Sequence, residues 1–146
     1  MTSLYVLLSL LTGVAIATQT GVNTQLRLHL GGALPAVFVS FAVGMILIVF
    51  ALIGVREPFP YTQLTRAPWW MWLGGVFGVF IVSTNIIVAP RLGAALLMSL
   101  AIAGQLGSAI VLDHYGAFAF PVHPISVGRV VGAVLLIGGV ALIRFT

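Results

Sequence analysis

The stretch Leu34 to Val55 reads LPAVFVSFAVGMILIVFALIGV, without one charged residue and with Ser40 as its only hydroxyl. An α-helix needs about 20 mostly apolar residues to cross the hydrocarbon core of a bilayer. A helix apolar on every side has no solvent face to offer, so it belongs inside a large core or a membrane. Working outward, four more stretches of this kind lie between the few charges, prolines and polar clusters: Leu4 to Leu26, Trp69 to Ala89, Gly93 to Leu112 and Ser126 to Ile143. The expectation is an all-α membrane protein, a single domain over residues 1–146 with five transmembrane helices and short loops.

Composition excludes the alternatives. Of 146 residues, 61% are hydrophobic and 5% charged, with a mean hydropathy of +1.23. Soluble domains carry charge on about a quarter of their residues, so a water-soluble globule is ruled out. With no cysteine, disulfide frameworks, cysteine zinc sites and thiol catalysis are unavailable. The net charge of +4 comes from six scattered arginines and no lysine, which builds no basic patch for nucleic acid.

Boundary residues have mechanical roles. Pro35 and Pro68 suit the starts of the second and third spans, where a first turn has no use for the missing N–H. Trp69, Trp70 and Trp72 cluster at one end as an interfacial belt. Arg56-Glu57-Pro58-Phe59-Pro60 opens one loop, and residues 117–124 form a second, apolar one. Only Pro90, Arg91 and Leu92 separate the third and fourth spans, which makes those two an antiparallel hairpin. Leu4 to Leu11 followed by Ala15-Ile16-Ala17 resembles a signal peptide. No basic residue precedes that apolar core, however, and polar groups continue in helical register, which favours an uncleaved first span.

Five spans put the termini on opposite sides. Arg56, Arg66 and Arg129 then fall on the N-terminal side and Arg27, Arg91 and Arg144 on the other, a null positive-inside signal. Such a chain is expected to insert both ways and to pair antiparallel, giving a ten-helix inverted-repeat dimer. The competing reading is that six arginines are too few to count, and that the amino terminus, Glu57 or Asp113 tips the balance.

At 100° per residue, Ser9, Thr12, Gln19, Thr20 and Asn23 share an arc of about 100° on the first helix. Gly13, Ala17 and Gly21 beside them allow a second backbone to approach. In the fourth span Ala94, Met98, Ala101, Gln105 and Ser108 repeat the pattern, with a small row at Ser99, Ala103 and Gly107. Gly74, Gly75, Gly78 and Asn85 mark one side of the third. The intramembrane amides Gln19, Asn23, Asn85 and Gln105, with Thr12, are the candidate solute ligands lining a midplane cavity. Amides also hold helices together, with energies of about 0.6 to 2 kcal/mol. Gly128, Gly132 and Gly139 stripe the last span and are expected to form the dimer interface, an intrachain contact being the alternative.

No Asp, Glu, Lys or Arg occupies the centre of a span, which disfavours a buried proton relay. Asp113 and His114, two turns from Gln105, are candidates for coupling or gating at the cavity mouth, against the plain reading of an acid facing headgroups. His29, His114 and His123 fall in loops. Asp113, His114 and His123 lack the spacing of an established metal site. No histidine lies at depth to serve a nucleophile, so neither an enzyme nor a cofactor is expected.

Several short motifs occur in order along the chain: Gly21-x-Asn23-x-x-Leu26, Phe41-x-x-Gly44, Gly74-Gly75-x-x-Gly78, Pro90-Arg91-Leu92-Gly93-Ala94-Ala95, Gly104-Gln105-Leu106, Leu112-Asp113-His114-Tyr115-Gly116 and Arg129-x-x-Gly132. In these the chain resembles the YdcZ-like family, a five-helix branch of the drug/metabolite transporter superfamily. The resemblance implies a half-transporter in a bacterial inner membrane, pairing into a ten-helix exporter-like unit through its last helix. Related four-helix multidrug exporters carry a glutamate in the first helix that binds drug and proton alternately. Here that helix offers Gln19 and Asn23, which suits a neutral or zwitterionic polar solute better than a lipophilic cation.

The expected function is secondary transport of a small polar metabolite or drug-like solute by alternating access. Its partners would be the solute, membrane lipid, and a second copy or an oppositely oriented homologue. A dual-topology ion channel and a non-transporting membrane partner subunit are the rivals.

Overall fold

The computed structural model of the chain describes residues 2–56 and 58–145. Glu57, weighed above in the charge balance, lies outside them. Six α-helices run along the described residues: α1 (Thr2–Leu30), α2 (Ala33–Val55), α3 (Tyr61–Arg66), α4 (Leu73–Leu92), α5 (Ala94–Tyr115) and α6 (Val127–Phe145). Five segments are long and apolar enough to cross a membrane: Ser3–Leu30, Ala33–Val55, Trp69–Leu92, Ala94–Tyr115 and Val127–Phe145. The five anticipated spans are all present, each with at least one end shifted.

The shifts have local causes. α2 begins at Ala33, ahead of Pro35, which still falls in the first turn where its missing N–H leaves no bond unmade. It ends at Arg56, whose left-handed φ of 55° turns its N–H back to the carbonyls of Ile53 and Leu52. Pro68 precedes a 3-10 turn, Trp69–Trp72, so the tryptophans sit on that tighter coil before α4 starts. The short helix α3 was not expected.

The third span does not stop at Pro90. α4 runs through it to Leu92, leaving Gly93 as the sole connecting residue, at φ 78° where a side chain would be strained. Arg27 and His29 are likewise not loop residues but part of the last turn of α1, as His114 is of α5.

The chain divides into two compact units, Met1–Arg91 and Leu92–Thr146. In the first, Ala36 and Val37 of α2 and Ile86 of α4 are buried together, flanked by Leu26 of α1, Ala33 and Val82. In the second, α5 packs against α6, burying Leu97 and Val140. Most other large apolar side chains are exposed, Leu4, Leu7, Leu11, Val14 and Val22 of α1 among them, as expected of surfaces that meet lipid.

Many hydroxyls are absorbed by their own helices. Ser9, Thr12, Thr18, Thr20, Thr24 and Ser99 each donate to the carbonyl four residues earlier, at 2.7 to 2.9 Å. At the end of α5, Gly116 adopts φ 59° and donates to the carbonyl of Asp113. A Cβ there would lie 2.7 Å from Cγ2 of Val122, so the returning loop can lie flat only over a glycine.

Candidate functional site

The polar arc of α1 is not uniform. Ser9, Thr12 and Gln19 are exposed on the chain surface, whereas Thr20 and Asn23 are 5% and 4% exposed. Thr20 of this pair reaches α4. Thr20 Oγ1 donates to Ile16 within α1 and accepts the Nδ2 hydrogen of Asn85 at 3.4 Å. That hydroxyl has given its one hydrogen and taken one of the two it can accept. One turn further on, Asn23 is as deeply enclosed, yet among the described residues its Nδ2 has no hydrogen-bond partner, and neither has the buried Oγ of Ser83 on α4.

Another turn along α1, half-buried Arg27 closes the face. Its Nη1 donates to the backbone carbonyl of Ile86 at 3.0 Å. That carbonyl needs a partner for a reason written in the sequence. In an α-helix the N–H of residue 90 would bond to the oxygen of residue 86, and Pro90 has no N–H. Arg27 supplies the missing donor, and so α4 continues past its proline.

Thr20 and Arg27 thus reach adjacent residues of α4, Asn85 and Ile86. Asn23, about 4.5 Å from one and about 6 Å from the other along the helix axis at 1.5 Å per residue, lies between two anchored contacts. Of the sequence candidates, Asn23 and Asn85 are brought to this face, while Gln19 and Thr12 are left outside it. Arg27, Thr20 and Ser83 were missed as site residues. For Arg27 part of a signal existed: it falls four residues after Asn23 on the same arc.

The second unit holds a different arrangement. A groove of about 570 Å³ between α5 and α6 is walled by Leu106, Ile110, Ala133 and Leu136. At its polar end Arg129 Nη1 meets Asp113 Oδ2 at 3.2 Å, both side chains about one-third exposed. Gln105 is exposed and does not line this groove.

Asp113, a candidate gate at a cavity mouth against the plain reading of an acid facing headgroups, is paired with Arg129, and its surroundings knit a loop. The same Arg129 Nη1 donates to the carbonyl of His123, and the His123 N–H donates to the carbonyl of Asp113 at 2.9 Å. His114 Nδ1 accepts the N–H of Ile125. Among the described residues no group of His, Asp and Glu is placed to hold a metal.

An Asp113→Asn variant should lose the ion pair while keeping the side chain's shape. A pair this exposed is worth about 0.5 to 1 kcal/mol. Hydrogen exchange at the His123 amide should therefore quicken by about two- to fivefold. An unchanged rate would mean that the backbone bonds alone hold the loop.

With the geometry in place, comparison with known proteins is informative. The family model described as "Putative inner membrane exporter, YdcZ" matches residues 4–142. The chain belongs to the YdcZ family. It is 25% identical over 132 residues to "Inner membrane protein YdcZ" of Escherichia coli (strain K12), an alignment covering 90% of this chain and 88% of that protein. No solved structure matches the chain.

Membership settles the coarse questions. A YdcZ chain with five candidate spans is a multi-pass inner membrane protein, and its family is one of exporters rather than enzymes. The glycine stripe of this YdcZ chain is left open: a Cβ at Gly128, Gly132 or Gly139 would meet nothing within 4 Å. The same is true of Gly13 and Gly21 on α1.

Proposed function

We propose that this YdcZ-family chain is one half of a secondary transporter that exports a small polar solute by alternating access. Two copies would lie antiparallel as a ten-helix unit. The observation that carries the reading is the unpartnered amide of Asn23, enclosed on the Thr20–Asn85 face in a chain of an exporter family. Polar groups at depth in a span are costly and mark solute pathways when they are not consumed by structure. Asn23 and Asn85 would bind solute from within the unit. The exposed Gln19 and Thr12 would reach it where the copies enclose a cavity.

The antiparallel arrangement is supported by charge. The arginines of the loops and helix ends divide evenly, three to a side, and still divide evenly when Arg27 and Arg129, engaged in hydrogen bonds, are set aside. The open glycines Gly128, Gly132 and Gly139 would let the last helices of two copies approach closely. Amide ligands without a carboxylate favour a neutral or zwitterionic solute over a lipophilic cation.

Paired reporters active on opposite sides of the membrane, fused after Thr146, test the arrangement. Comparable signals from both are expected, and would make the identical-chain dimer the unit to reconstitute. A signal from one side alone would replace the homodimer with an oppositely oriented homologue as partner. Single-channel currents from the reconstituted chain would overturn the carrier mechanism, and tight binding of a quaternary ammonium compound would overturn the solute class.

A further inference from the structure

We infer that the α1 face holding Asn23 and Arg27 is a subsite for a carboxylate, so that the solute carries one. The inference rests on the reading of this face as the solute site and adds to it the sign of the group recognised.

A guanidinium has five N–H donors. Arg27 spends one on the carbonyl of Ile86. Among the described residues the one ion pair is Arg129 with Asp113, so Arg27 carries a charge that no described acid neutralises. One turn back on the same face, the amide nitrogen of Asn23 is buried with two hydrogens undirected. The neighbouring hydroxyl of Thr20 has already given its hydrogen to Ile16 and taken one from Asn85. The face therefore carries undirected donors on Asn23 and Arg27, beside the unpartnered hydroxyl of Ser83, and is positive by one charge.

The group that completes such a face is a planar acceptor with one negative charge. Guanidinium and carboxylate match in geometry, and charge-assisted bonds of this kind are about twice as strong as neutral ones. A phosphate dianion would leave a second charge uncompensated beside a single guanidinium, and unpaired charge away from water is heavily penalised. A cation would meet Arg27 with like charge. Zwitterionic solutes remain admissible, bound here by their carboxyl end.

The site also explains its own construction. Held by one N–H to a backbone carbonyl, the guanidinium is fixed in place while its other donors stay available. A surface arginine would swing freely and lose entropy on each binding event.

The test uses the purified full-length chain in lipid nanodiscs with 15N labels, titrated with formate and with formamide. The two probes are nearly isosteric and differ in charge. Formate should shift the Arg27 Nε and Asn23 side-chain resonances saturably, with formamide at least about tenfold weaker. Arg27→Met should lose formate binding by about tenfold or more, and Arg27→Lys, which keeps the charge without the planar fork, should lose less. Because Arg27→Met also strips the Ile86 carbonyl of its partner, it is made a second time with Pro90→Ala, which restores a backbone donor to that oxygen. Pro90→Ala alone should still bind formate.

Equal responses to the two probes, no saturable response to formate, or formate binding that survives Arg27→Met in the Pro90→Ala background would each overturn the inference. Failure here with solute flux intact would remove only the carboxylate assignment. Formate binding in a chain that moves no solute would remove the transport reading and leave the subsite.

Discussion

Replacing Arg27 with methionine should destabilise the chain by about 1.5 to 3 kcal/mol, the range for a buried acceptor losing a charged donor. Methionine keeps most of the apolar stem, so lost packing contributes little. What remains is the carbonyl of Ile86, a residue 0% exposed, with neither a backbone donor from Pro90 nor a guanidinium. The decisive measurement is the double-mutant cycle with Pro90→Ala, followed by unfolding from mixed micelles. In that background the substituted alanine returns an N–H to the Ile86 carbonyl, and the penalty for Arg27→Met should fall below about 1 kcal/mol. Penalties that simply add would show that the two residues act apart, and the continuation of α4 through its proline would need another cause.

Asn23→Leu should do the opposite to stability and far more to transport. A buried amide nitrogen without a partner incurs its desolvation cost with no return, whereas an apolar side chain of the same shape incurs none. The variant should therefore be as stable as the parent or up to about 1 to 2 kcal/mol more stable, while solute counterflow in proteoliposomes falls by about tenfold or more. The pairing matters because it separates two roles. An amide retained as glue between helices would cost stability on removal, by about 0.6 to 2 kcal/mol, with flux lost through disassembly. An amide retained for solute gives a firmer protein that does not transport, the usual exchange of stability for activity at a functional site. A destabilised Asn23→Leu would overturn the solute role of this residue.

The architecture was legible because it rests on something a sequence states outright. Leu34 to Val55 has no polar face to misjudge, and the four other spans follow from apolar length between charges. The helix α3 was missed because Tyr61–Arg66 is six residues between prolines, too short for any periodicity to register. Pro90 was misread for a physical reason. A proline inside a helix strands the carbonyl four residues before it, and the chain ends or kinks there unless something distant answers. The donor that answers is Arg27, 59 residues earlier, and no local pattern connects the two.

The site was half legible for a related reason. Helical spacing places Gln19 and Thr20 on the same arc of α1, but they sit about 100° apart, at its two edges. Which edge is covered depends on the helices around it, α2 by packing and α4 through its polar side chain. Asn85 chose Thr20, and Gln19 was left at the surface. Arg27 was assigned to topology because a lone arginine near a span end is ordinarily an anchor in the headgroups. The partner of Asp113 is hidden in the sequence because Arg129, 16 residues away, closes on it only once the loop has folded back.

The back-bonded hydroxyls of α1 alter what the bilayer perceives. A threonine whose hydrogen points into its own helix ladder turns a methyl outward, so lipid meets something close to valine. Ser3–Leu30 has the lowest mean hydropathy of the five spans, 1.5, yet Ser9, Thr12 and Thr18 hide most of the dipole that lowers it. For the insertion machinery, the first segment is greasier than its letters say.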